Sequence, residues 1–203
     1  MSRVLAICCV LLLASARHAA AEWQITPMIG MTTLGSTTIF DPEAGTDQRH
    51  WNLGGAVTLF GSGIVGAEVI GIWTPGFFDR DDLAIVGSNR TVSLMANVIV
   101  TTPRRWTEYS LRPYVSSGLG LMHVSKTDNP EGLFPVNLNL PGFNVGGGAV
   151  GFLTDRTGVR FDIRYHGLLN PSDHGEIAFG DVHLRYVTAT IGIVFRGGIP
   201  LHR

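Results

Sequence analysis

From residue 23 onward, apolar and polar side chains alternate one for one along most of the chain. The pattern is clearest after a turn at Asp155–Gly158. There Val159, Phe161, Ile163 and Tyr165 take one side of an extended strand and Arg160, Asp162, Arg164 and His166 the other, because successive side chains of a strand point to opposite faces. In a soluble sheet the apolar side would be the core. Four charged or titratable side chains in strict alternation with four apolar ones instead predict the inverse, with the apolar side toward lipid and the charged side toward a narrow lumen.

The alternation repeats often enough to close a barrel. Strands are expected over residues 23–32, 51–60, 64–73, 90–101, 108–124, 143–153, 159–166 and 182–195. Outward positions include Ile25, Leu53, Val69, Leu94, Leu119 and Ile191; inward ones include Thr58, Glu68, Asn97, Arg112 and Tyr114. Pro27 is at odds with the first strand, since a closed barrel has no free edge to host a missing N–H. Long polar connections at 35–50, 74–89, 125–141 and 167–180 alternate with short ones at 61–63, 103–106 and before Val159. Short turns on one side and longer loops on the other mark an outer-membrane barrel. The expected fold is therefore all-β, an eight-stranded antiparallel up-and-down transmembrane β-barrel.

Composition agrees. Charged residues are 15% of the chain and there are 26 glycines among 203 residues, against the usual ~25% charged and ~7% Gly. After the first twenty residues no apolar run approaches the ~18 residues of a spanning helix. Residues 1–21 read as a cleaved secretory signal. Arg3 supplies the positive start, Val4 to Ala14 the apolar run, and Ala19-Ala20-Ala21 a cleavage site before Glu22. The barrel is expected over 22–196 and a short tail over 197–203. Cys8 and Cys9 both fall in the signal, so the remainder holds no thiol for a disulfide, a metal or a nucleophile. With Arg3 and Arg17 removed, the charge is mildly acidic, and no nucleic-acid partner is expected.

Eight strands enclose an interior that side chains just fill. Inward glycines (Gly54, Gly66, Gly118, Gly120, Gly146, Gly148, Gly192) leave room for Tyr114 and for a charge cluster of Glu68, Arg112, Arg160, Asp162 and Arg164. Buried charges need partners, so Glu68 and Asp162 should balance two of the three arginines in a salt-bridged plug. Trp23 and Trp106 are expected at the periplasmic rim, and Trp51 and Trp73 at the outer rim. Tyr165 and Phe195 join them as interfacial aromatics. Acidic residues gather in the outer loops: Asp41, Glu43, Asp47, Asp79, Asp81, Asp82, Asp128, Glu131, Asp173, Glu176 and Asp181, against Arg49, Arg80, Arg90 and Lys126. Hard cations favour carboxylate oxygens, which could bridge these loops to lipopolysaccharide.

Three segments carry a resemblance. They are Gly66-Ala67-Glu68 with Trp73–Phe78, Arg112-Pro113-Tyr114 through Gly120, and Gly146-Gly147-Gly148 with Phe152–Tyr165. They resemble the OmpA-like/porin-type outer membrane β-barrel domain family across the whole chain after the signal. The resemblance implies a bacterial outer-membrane location and, as partners, outer-membrane lipids, the barrel-assembly machinery and an extracellular partner at the loops. Such barrels end in a Phe read by that machinery. Phe195 fits, although Arg196–Arg203 follow it.

The expected role is structural or surface-interactive, with no cofactor, no metal and no catalysis. A narrow porin-like channel is the alternative. A lipid A hydrolase is the second, on His123 and Ser125, which share an outward face without an acid partner. His166, His174 and His183 flank the last long loop with Asp173 and Asp181 and read as solvated. Gly146–Gly151 matches G-x-G-x-x-G but lies inside a strand pattern, where a dinucleotide site needs a helix.

Overall fold

The computed structural model describes residues 22–37, 49–60, 64–75, 88–103, 111–127, 136–169 and 184–197. Its strands are β1 (Glu22–Thr37), β2 (His50–Phe60), β3 (Val65–Pro75), β4 (Ser88–Thr101), β5 (Arg112–Thr127), β6 (Val136–Phe152), β7 (Thr157–Leu168) and β8 (Leu184–Gly197). Each pairs antiparallel with its neighbours in sequence, and β1 pairs with β8, so the sheet is a closed barrel. Closure removes the row of unpaired N–H and C=O groups that an edge strand leaves and that hydrocarbon cannot solvate.

The expected inversion of polarity is present. Val115 and Ile163, on the outer surface, are each 62% exposed, whereas Arg160 and Arg164 are 1% and 0% exposed. Along β7 the inward residues Arg160, Asp162, Arg164 and His166 are all buried. A wall of Ile, Leu, Val and Phe this continuous is a liability in water and a match for a bilayer.

Pro27 is accommodated at the seam between the first and last strands. It faces Gly55 in the β1–β2 ladder. The β1–β8 ladder skips Thr26 and Pro27 and resumes at Met28, opposite Gly192. The missing N–H thus falls on the side where no ladder bond is made.

Three boundaries differ from the sequence reading. Most of the expected loop Ser125–Pro141 is strand, because β5 runs to Thr127 and β6 starts at Val136. Here the alternation continues but changes sign. Met122, Val124 and Leu140 point inward and are buried, while His123 and Asn139 point outward. A pattern sought with apolar residues outside breaks at that reversal. Second, the fifth strand begins at Arg112, not Glu108, so the β4–β5 connection (102–111) is no shorter than the β5–β6 one (128–135). Strict alternation of long and short connections fails there. Third, β8 continues through Gly197, so Phe195 does not end it.

The turn before β7 is fixed by Thr154, whose Oγ1 accepts the backbone N–H groups of Arg156 and Thr157 at 3.2 and 3.0 Å. The signal (1–21), Trp106, the residues after Gly197, His174, His183 and all the acidic residues of the expected outer loops lie outside the described residues.

Inward glycines are spaces that neighbours fill. A Cβ on Gly148 would lie 1.9 Å from the Phe161 carbonyl oxygen and 2.6 Å from the Tyr114 hydroxyl. One on Gly118 would lie 2.1 Å from both the Ala96 carbonyl and Asn97 Oδ1. On the outer face, a Cβ at Gly55 would meet nothing closer than 3.8 Å. Gly148→Ala should therefore cost about 3 kcal/mol or more, above the usual range for overpacking, and Gly55→Ala about 0.5 kcal/mol or less. Urea unfolding of the refolded barrels, followed by the gel shift between folded and heated forms, should show that order.

Candidate functional site

The middle of the lumen is closed by two carboxylates and two guanidiniums. Antiparallel pairing places Thr58 opposite Glu68 and Glu68 opposite Asn97. Across the lumen, β7 offers Arg160, Asp162 and Arg164 on one face at a spacing of two. Arg160 Nη1 meets Glu68 Oε2 at 2.6 Å, and Arg160 Nη2 meets Asp162 Oδ2 at 2.8 Å. Arg164 clasps Asp162 with both Nε (2.6 Å) and Nη2 (2.9 Å), and its Nη2 also reaches Glu68 Oε1 at 2.6 Å. Each cation thus touches both anions, and the four formal charges cancel.

Neutral groups complete the cluster. Thr58 Oγ1 and Asn97 Nδ2 donate to Glu68 at 3.2 and 3.1 Å. Asn144 Nδ2 donates to Asn97 Oδ1 at 2.9 Å. Tyr114 accepts from Arg160 Nε at 2.8 Å, donates to Asp162 Oδ2, and lies with its ring 4.7 Å from the Arg160 guanidinium carbon. This is the hydrogen bonding that a dry ion cluster needs to persist.

Four of the five residues expected in the charge cluster come together. Arg112 does not. It lies nearer the end at which β4 passes to β5, its guanidinium 5.6 Å from the Phe60 ring centre and its Nη2 3.4 Å from the Thr102 carbonyl. Arg112 Nε and Gln24 Oε1 make no hydrogen bond, and both residues line a cavity of about 10 Å³, room for one water. At the same end Arg196 binds Glu22 at 2.8 Å, a pair the sequence reading did not include.

Sequence reasoning placed Tyr114, Thr58 and Asn97 inward but not in the cluster. The signal was available, because the short turn after Phe60 sets the β2–β3 register and so puts Thr58 beside Glu68. The Tyr114 contact follows from register too: Tyr114 lies opposite Gly148 and Gly148 opposite Asp162, so the Tyr114 side chain reaches over the glycine along the wall.

Apolar layers lie on both sides of the ions. One holds Phe60, Ile99, Tyr114, Val150 and Val194. The other, toward the outer ends of the strands, holds Met28, Ile70, Ile72, Met95, Met122, Val124, Leu140, Leu184 and Tyr186. His166 lies at the border. It is a lumen residue of β7, not a solvated loop residue, and its ring stacks on Tyr186 with centroids 4.7 Å apart.

On the outer surface Trp23, Trp51, Trp73 and Phe195 are exposed. Trp51 and Trp73 meet edge to face at 5.7 Å, and Tyr165 packs against Phe143 at 6.1 Å. His123 and Ser125 share the outward side of β5. Asn139 Oδ1, not a carboxylate, faces His123 Nδ1 at 2.8 Å, and Ser125 is buried. The glycines of Gly146–Gly151 lie within β6, with no helix following.

The cluster leads to a measurable order of effects. Glu68→Ala leaves two guanidiniums sharing one carboxylate in a dry interior and should cost about 3–5 kcal/mol. Arg112→Ala removes a cation with no carboxylate beside it and should cost under about 2 kcal/mol. Equal losses in equilibrium unfolding would contradict the assignment of Glu68 to the closing cluster.

No protein-family model matches the chain, and no curated protein does. Solved structures do match. Neisserial surface protein A superposes with a TM-score of 0.61 at 13% identity, covering 86% of this chain and 97% of that one. Ail, the attachment invasion locus protein of Yersinia pestis, in complex with the heparin analogue sucrose octasulfate, gives 0.56 at 12%, covering 88% and 99%. The outer membrane protein OprG of Pseudomonas aeruginosa gives 0.55 at 14%, covering 90% and 98%. The inverted polarity, the closed eight-strand topology and these superpositions agree: the chain has the fold of the transmembrane outer-membrane β-barrels.

Proposed function

We propose that this protein is a non-catalytic integral barrel of the bacterial outer membrane that presents its outer strand ends and loops to the surface and conducts no solute. The observation that carries this reading is the closed ion cluster. Glu68, Arg160, Asp162 and Arg164 are each 3% exposed or less, and they are bonded to one another across the lumen. Apolar layers bury them from both directions. A hydrated ion entering this path would lose its water without gaining a continuous polar lining, and a pore needs that lining to conduct. The porin-like alternative is therefore disfavoured. Among the described residues the hydrolase alternative has no carboxylate beside His123 and no base hydrogen-bonded to Ser125, the contact that activates a serine.

Two measurements test the reading. In planar bilayers the refolded protein should show no discrete current steps, and Arg160→Ala should not create a steady pore, because the apolar layers remain. Steps in the unmodified protein would overturn the claim of a sealed lumen. In vesicles, Trp51 and Trp73 should be quenched more strongly by lipids brominated near the headgroup than by lipids brominated near the chain end. The opposite order would contradict their interfacial placement.

A further inference from the structure

The wall reverses polarity a second time where β5 and β6 approach their outer ends. Below, the outward residues are apolar: Leu94 on β4, Leu119 and Leu121 on β5, Val145 on β6. Above, they are Arg90 on β4, His123 and the buried Ser125 on β5, and Asn139 on β6, with Val92 of β4 beside His123. Over the same span the inward residues of β5 and β6 turn apolar, namely Met122, Val124 and Leu140, while β4 keeps Thr91 and Ser93 inward. This is the polarity of a water-soluble barrel stacked on that of a membrane barrel. The level of reversal marks where hydrocarbon ends on this side of the wall.

The four outward polar residues are neighbours. Arg90 pairs with Ser125, Val92 with His123, and His123 with Asn139. Arg90 and His123 are thus diagonal neighbours on one face, within reach of one small group. Asn139 Oδ1 fixes the His123 ring through Nδ1 at 2.8 Å, which leaves the Asn139 amide nitrogen as a free donor. Arg90 is exposed and pairs with no carboxylate among the described residues. The patch therefore offers a guanidinium, an amide donor and an imidazole at the headgroup level, with an apolar surface of Leu94, Leu121 and Val145 beneath.

We propose that this patch binds the phosphate of a glycolipid of the outer leaflet, with the lipid's acyl chains lying along β4–β6 below it. The proposal rests on the outer-membrane reading above and names a lipid partner for it. A guanidinium and neighbouring N–H donors suit a phosphate, which accepts several short charge-assisted bonds at once. Placement selects a lipid phosphate, because the site opens sideways onto the hydrocarbon boundary. Arg185, also outward and exposed, is at the far side of the wall on β8 and paired with Ser36 and Gly167. Among the described residues it has no such company, and it serves as the control.

The test uses the full barrel refolded in zwitterionic detergent and titrated with purified lipopolysaccharide, read by native mass spectrometry. Arg90→Ala combined with His123→Ala should weaken binding about tenfold or more, and enzymatic removal of the lipid A phosphates should weaken binding of the unmodified protein similarly. Arg185→Ala should change it less than about twofold. Equal binding by the double variant, equal binding of dephosphorylated lipid, or preference for a soluble sulfated glycan over the lipid would each overturn the proposal. The double variant lies on the outer surface and should keep the heat-dependent gel shift of the folded barrel. If the brominated-lipid quenching shows no insertion, the outer-membrane reading itself fails; if insertion is normal and phosphate selectivity is absent, only the lipid site fails.

Discussion

Two carboxylates and two guanidiniums in the middle of this barrel have been taken out of water, and they have little but one another. Removing ions of that size from water costs several kcal/mol each, and only short, well-directed contacts repay it. The structure provides them. Arg164 grips Asp162 bidentately, both arginines reach Glu68, and Tyr114, Thr58 and Asn97 take up remaining bonding capacity. The arrangement dictates much else. It needs strands β3 and β7 to face each other across a lumen narrow enough for side chains to touch, which eight strands allow. It also needs glycine at Gly146 and Gly148, where any side chain would strike the β7 backbone or the side chains of Arg164 and Tyr114.

Around that cluster the chain solves two solvation problems at once. Where the wall meets hydrocarbon, apolar side chains face out and the ions face in. Beyond it, on β5 and β6, the relation turns over, so that Met122, Val124 and Leu140 form an interior while His123 and Asn139 meet the surroundings. The same alternation serves both regions, because a strand exposes its two faces equally. Only the assignment of faces changes, and that change locates the membrane boundary on this part of the wall.

Much of this was legible in the sequence. The run Val159–His166 displayed its two faces without ambiguity, and the inward positions of Glu68, Arg160, Asp162 and Arg164 followed from parity alone. The strand count was legible for the same reason. Two things were not. The outer parts of β5 and β6 resemble loop in the sequence, since Ser125–Pro141 is rich in Asn, Asp and Pro and its apolar residues switch sides relative to the rest. Arg112 shares the parity of the cluster, but parity gives the face and not the height. Arg112 sits lower along the wall, and nothing local distinguishes it from Arg160. The Tyr114–Asp162 contact, by contrast, follows once β5, β6 and β7 pair, because Gly148 lies opposite both residues.

Glu68 comes from the third strand, and the arginines that neutralise it come from the seventh, 96 residues later in the case of Arg164. A sheet still open between its first and last strands holds these groups apart, so Glu68 lacks its counter-charges until the two halves curl together. The ion cluster thereby works as a latch. Satisfaction of the acidic group is tied to completion of the cylinder, and an incompletely wrapped chain carries an electrostatic penalty that only the finished shape relieves.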